Sequence, residues 1–385
     1  MSHSTFRLIV VFVLLSFLIA GCTNELKPKT VIIPDTEESS EPDGVNEEFA
    51  VNKIYTLADP GDGNGDILGW IDQKQVIGLY GNDQSRSFER VDYKYNSHQE
   101  IKAVKSSKQM AKLAPDGMHI AYFENKEITN QLKLLDLANS KEIVIQDNVV
   151  GPYLLNALTW SNNSQYVTNA VENEKVKDGS FIAYDILHNS SNQYQVPGWN
   201  FREMSFGVKI SDDGKSAMII KVADGQYKLI YGELKGSGFV SIFEQPINVD
   251  GTYDYINDNQ IIFVSAGGAL SIYDRRNTTI TNLLEHINAF QLSKDRKYIA
   301  YSKDQEEIFV AKLQGNNIIN EKSIYKGLIP FHMQWSPDNK KILLSGRKPY
   351  ASEAAPVPAA SREPAVAAPA QITTIDNLPF IIEFK

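Results

Sequence analysis

WSPDNKKILLS, residues 335–345, carries the pattern that decides the fold: an apolar residue, a short polar turn, then a strand of β-branched or aromatic residues. The same element reads LAPDGMHIAYF at 113–123 and ISDDGKSAMII at 210–220. It returns as WSNNSQYVTNA at 160–170 and LSKDRKYIAYS at 292–302. WIDQKQVI at 70–77 is a reduced copy, and INDNQIIFVS at 256–265 a worn one. Successive copies start 43, 47, 50, 46, 36 and 43 residues apart. A four-stranded propeller blade takes roughly 40–45 residues, so the scatter fits that period. In each copy the turn needs a residue at positive φ, a place suited to Gly or Asn.

The stretches between the copies supply further strands, such as NQLKLLDL at 130–137 and QYKLIYGEL at 226–234. These runs alternate with Gly, Asn, Asp and Ser turns, and no long helical period appears. A four-stranded sheet with two apolar faces cannot bury both alone, whereas radial stacking buries them. A β-sandwich would not return one turn signature seven times, and a solenoid would need polar caps. The expected fold is therefore an all-β propeller of four-stranded blades. The repeat count gives seven blades, with six as the alternative. Closure is expected between a strand near 49–58 and one within 373–385, which would remove the free sheet edges.

The chain has 385 residues, 42% hydrophobic and 22% charged, so it can bury a sizeable core. Its net charge of -9 argues against a nucleic-acid partner. A single cysteine excludes an internal disulfide framework and a zinc ribbon. That cysteine is Cys22, and it follows the apolar run LIVVFVLLSFLIA at 8–20 and Gly21. Thirteen residues are too few to span a bilayer and suit a secretory signal. Ile19, Ala20, Gly21 and Cys22 resemble the lipobox of bacterial lipoproteins, in which the thiol receives a diacylglyceryl group. The resemblance implies a signal peptide at 1–21 and a lipid anchor on Cys22, palmitate among its acyl chains. It also implies a location on the extracytoplasmic face of a cell membrane.

Residues 22–48 have no periodic apolar pattern and read as a disordered tether. Two lysines against eight acidic residues leave it at −6, so the part after it is nearly balanced. As a coil it would hold the domain at 49–385 on the order of 30 Å from the lipid. Residues 349–371, rich in Ala and Pro, read as a flexible insertion in the last blade. The PDG and PDN copies resemble the WD40-like repeats of TolB-type propellers. With the lipobox, the chain resembles the uncharacterised YqgU-like propeller lipoproteins of Gram-positive bacteria, which are described as six-bladed.

Catalytic motifs are missing: there is no G-x-S-x-G elbow, P-loop or GxGxxG, and no two histidines share a metal-ligand spacing. The loop DPGDGNGD at 59–66 places Asp62, Asn64 and Asp66 at alternate positions, as calcium loops do, although it departs from the EF-hand pattern. In a propeller the connections after the second and fourth strands of each blade share one face. That face should carry Tyr153, Trp199, Arg202, His286, Phe331 and His332, residue types that anchor partners. The functional expectation is a monomeric binding or scaffolding module for a protein, peptide or cell-wall ligand. The alternatives are a carbohydrate-active enzyme or carbohydrate-binding protein using the central funnel, and a cell-envelope sensor.

Overall fold

The computed structural model describes residues 47–57, 65–82, 85–106, 110–126, 129–149, 158–171, 179–199, 206–223, 225–248, 252–304, 306–348 and 379–385. Cys22, residues 23–46 of the tether and residues 349–371 lie outside them, as do Asp62, Asn64, Tyr153 and Arg202. The last two tether residues are not disordered: Glu47 and Glu48 open a 3-10 turn, Glu47–Phe49, and Glu48 pairs with Lys312 and accepts from the Tyr298 hydroxyl. Among the described residues no helix is long and apolar enough to cross a membrane.

Twenty-eight strands are described, and they form a propeller arrangement. After β1 (Val51–Thr56) comes the sheet β2–β5 (Asp66–Trp70, Gln75–Asn82, Ser85–Asp92, Ser97–Val104). The next is β6–β9 (Ala111–Leu113, His119–Asn125, Asn130–Asp136, Glu142–Val149). Two antiparallel runs follow: β10–β13 (Thr159–Trp160, Tyr166–Val171, Gly179–Asp185, Ser190–Val196) and β14–β17 (Phe206–Ile210, Ser216–Ala223, Gln226–Lys235, Gly238–Ile247). Then come β18–β21 (Tyr253–Asn257, Gln260–Val264, Leu270–Asp274, Thr279–Leu284) and β22–β25 (Ile287–Leu292, Tyr298–Lys303, Glu307–Gln314, Asn317–Lys326). The last sheet joins β26 (Ile329–Trp335), β27 (Lys341–Arg347) and β28 (Phe380–Phe384) to β1.

Seven separate blades do not form. Five sheets have four strands, and one has eight, in the order β10-β11-β12-β13-β17-β16-β15-β14. The cause is a single parallel bridge between outer strands, Gln195 to Gly238, with the Gln195 amide donating to the Ser237 carbonyl at 2.8 Å.

Both faces of the second strands are buried, which explains their unbroken apolar runs. On β3, Val76 and Tyr80 pack with Leu343 and Ile381 of the closing sheet. Ile77 and Leu79 point the other way, into a cluster with Ile120 and Tyr122. Comparable clusters fill the gaps from sheet to sheet around the ring. The ring closes where β1 pairs antiparallel with β28, from Val51 opposite Phe384 to Thr56 opposite Phe380.

The repeated turn has more chemistry than its Gly and Asn suggest. Ser161, Ser211, Ser293 and Ser336 are each fully buried. Each hydroxyl donates to the Asn or Asp two residues on, at 2.6–2.7 Å. Each also accepts the backbone N–H five residues on, at 2.9–3.0 Å. These paired hydrogen bonds fix the turn tightly enough that Ser164 and Arg296 hold positive φ, as Gly214 and Asn339 do. The second copy has Ala114 where these four have serine.

Candidate functional site: the channel and its open mouth

The first strand of each four-strand run lines the axis, and these strands meet one another around the ring. Three of them are tied by tryptophan. Trp160 Nε1 donates to the Lys112 carbonyl at 3.1 Å, and Trp335 Nε1 to that of Gln291 at 3.2 Å. Trp70 Nε1 donates to that of Gln334 at 3.2 Å. In every case the indole ends one first strand and reaches back to the preceding one. The last of the three crosses the point of ring closure.

At one end of the ring the repeated turns bond to one another. The Asp116 amide donates to Ser164 Oγ at 2.8 Å, and the Asn163 amide to Asp212 Oδ1 at 2.7 Å. Asn162 Nδ2 reaches Asp254 Oδ1 at 3.0 Å. Buried Asp254 also faces Lys209 at 2.5 Å and Arg296 at 3.5 Å. Burial alone would raise its carboxyl pKa, but the two cations and the hydrogen bonds hold it below the usual carboxylate range.

The opposite end is where the first strands begin, and there the ladders are irregular. Pro330 pairs with Gly346 and His332 with Ser345, so Phe331 has no cross-strand mate. Asn288 and Leu68 are skipped in the same way on β22 and β2. Bulges of this kind re-aim a side chain. At β26 the result is a phenylalanine 68% exposed at the mouth.

Next to Phe331 lies a polar group drawn from three neighbouring sheets. His332 lies near Gln334, and it feels the charge of Lys112 on β6. Lys112 in turn feels Asp66 on β2. Gln334 Oε1 accepts the Trp70 amide at 3.2 Å, and its amide group lies flat on Gly69. A Cβ at Gly69 would come within 2.3 Å of Gln334 Oε1, and its φ of +145° suits glycine, so the glycine makes this contact possible. His332 and Lys112 are half-buried, hemmed in on the channel wall. Burial, with the nearby ammonium, lowers the His332 imidazole to about 4. Burial likewise lowers Lys112, opposed by Asp66. At neutral pH His332 is therefore uncharged, and its Nε2 is buried with no hydrogen-bond partner among the described residues. A neutral imidazole with a free nitrogen, beside an ammonium and a carboxylate, can bind a polar ligand or pass a proton.

The residues singled out by sequence therefore separate. Phe331, His332 and Asp66 come to the mouth and wall of the channel. His286 is exposed at positive φ between β21 and β22. Trp199 does not offer a face to a partner: it is 1% exposed and packed among Phe181, Val196 and Phe239. Among the described residues no group of three or more His, Cys, Asp or Glu side chains could hold a metal ion. Sequence reasoning passed over Lys112 and Gln334, which sit in ordinary-looking strands and gain meaning only from the neighbouring sheets.

No protein-family model matches this chain, and no curated protein is similar to it in sequence. Solved structures share the fold. An oligogalacturonate lyase in complex with manganese is 10% identical, with a TM-score of 0.57 over 89% of this chain and 95% of that one. The oligogalacturonate lyase of Vibrio parahaemolyticus is 11% identical, with a TM-score of 0.52 over 89% and 97%. A chain of the mitotic checkpoint complex is 11% identical, with a TM-score of 0.51 over 81% and 96%. At such identities the likeness is one of fold.

Proposed function

We propose that this chain is a binding module held to the outer face of a cell membrane by lipid on Cys22, and that it takes its ligand at the open mouth of the channel. The observation that carries the binding reading is the pairing of exposed Phe331 with His332, whose Nε2 has no partner among the described residues. An aromatic anchor beside unused hydrogen-bonding capacity is the composition of a recognition site. The anchor rests on the residues 19–22 and the apolar run before them. A peptide, a protein segment or a wall glycan fits the mixture of one aromatic ring, one ammonium and neutral polar groups.

Two experiments test the halves of this reading. Feeding cells an alkyne fatty acid should label the wild-type chain and leave Cys22→Ser unlabelled; equal labelling would remove the anchor. Co-sedimentation with purified cell wall, and crosslinking in intact membranes, should both be compared with Phe331→Ala. Phe331 is largely exposed, so its loss should leave stability within about 0.5 kcal/mol while weakening capture. Unchanged capture would move the ligand away from the mouth.

A second reading is favoured by the group Asp66, Lys112 and His332, which could transfer protons, and by a fold shared with two oligogalacturonate lyases. It makes the chain a carbohydrate-active protein. Incubation with oligogalacturonate, followed by ultraviolet absorbance of an unsaturated product, tests it; no signal with the wild type would end it.

A further inference from the structure

The eight-stranded sheet encloses a second site, far from the channel. Its halves touch at one bridge, Gln195 to Gly238, and splay apart elsewhere. The gap holds a cavity of about 410 Å³, within the size range of small-molecule sites. Trp199 forms one wall. Its ring lies against Gly179, where a Cβ would come within 2.4 Å of the indole, and its carbonyl accepts the Gly179 amide at 2.5 Å. The tryptophan is thus fixed in place.

The opposite wall is built in rows. On β15 and β16, Ile219 pairs with Ile230, and the next pair on the same face is Lys221 with Lys228. Phe239 and Val240 of β17 extend the apolar part. Two ammonium groups placed directly across a ladder repel each other. Lys221 Nζ donates to the Gly198 carbonyl at 2.8 Å. The Lys228 side chain has no ion pair or hydrogen bond among the described residues, although it lines the cavity. Glu244, cross-strand from Ile230, is the acidic group of the lining, and two lysines outweigh it.

We infer that this cavity binds an amphipathic anion, its apolar body against Trp199, Ile219, Ile230 and Phe239 and its acid group between Lys221 and Lys228. The cross-strand lysine pair supplies the countercharge that a purely apolar slot would not give such an anion. A carboxylate on an alkyl chain and one on an aromatic ring share this chemistry.

Calorimetric titration of the purified chain tests the inference. The probes are octanoate and 2-naphthoate, with 1-octanol and octylammonium as controls. At least one carboxylate should bind, at least tenfold more tightly than both controls, and the stronger carboxylate distinguishes an alkyl from an aryl slot. Lys228→Glu should weaken that binding at least tenfold with an unfolding midpoint no lower than that of the wild type, since the Lys228 side chain has no partner to lose and the change removes a like-charge pair. Lys228→Ala should give an intermediate loss. Binding of neither carboxylate, octanol binding as well as octanoate, or carboxylate binding indifferent to both variants would each overturn it.

Discussion

The indole of Trp70 donates to the carbonyl of Gln334 across 264 residues of chain, while Gln334 Oε1 accepts the Trp70 amide. The pair joins β2 to β26 at the point where the ring closes, and it also holds Gln334 beside His332. One residue pair therefore links closure of the fold to the candidate site. Trp70→Phe keeps the ring buried, loses the donor and leaves a buried carbonyl unmet. It should cost about 1–2 kcal/mol in denaturant unfolding. The same change at Trp160 or Trp335 should cost a similar amount, but only Trp70→Phe should also disturb His332, read as a shifted imidazole resonance.

Asp254 is the shared charge that ties Lys209, Arg296 and Asn162 together at the turn end of the ring. Removing it with Asp254→Ala leaves Lys209 and Arg296 facing each other without their shared carboxylate. A loss of about 3 kcal/mol is expected in urea unfolding. Because its folded carboxyl is held low, its contribution is present above the ordinary Asp range and fades as pH falls through the lower folded value.

His332 has the opposite chemistry and the same sign. Its imidazole is lowered from 6.5 to about 4, so between those values the unfolded chain binds the proton and the folded chain does not. Stability should then fall as pH drops from about 6.5 to 4, by of order 3 kcal/mol at most from this group. His332→Gln should flatten that part of the profile, measured as unfolding midpoint against pH. Identical profiles would mean that the imidazole is free to ionise in the folded chain.

Ala114 occupies the place held by serine in four other turns. Ala114→Ser should let the new hydroxyl donate to Asp116 and accept the His119 amide, as Ser336 does with Asp338 and the Lys341 amide. A gain of about 1 kcal/mol in thermal unfolding is expected. The reverse change, Ser336→Ala, should lose a similar amount.

The repeating turn was legible because its chemistry is local: a tight turn and the strand after it lie within eleven residues. The paired strands at the two ends were legible because free sheet edges are unfavourable. The number of separate sheets was not, because a single bridge from Gln195 to Gly238 merges two runs, and neither residue bears a mark of it. Trp199 reads as a surface aromatic in its loop, and only Gly179, twenty residues earlier, lets it turn inward. The group around His332 was half visible. The histidine stood out by type, but Lys112 and Gln334 join it from strands whose adjacency only the closed ring creates.

Closure between β1 and β28 also sets an order of events during synthesis. Tyr55 and Glu383, hydrogen-bonded in the finished ring, are 328 residues apart. At about 5–20 residues per second, β1 waits tens of seconds for its partner. Through that interval its backbone donors and acceptors are an open edge, available to any other strand nearby. A chain cut short before Phe380 would fold with most of its sheets made and one edge unmatched, which is a substrate for strand exchange with a second copy or for holding by a chaperone.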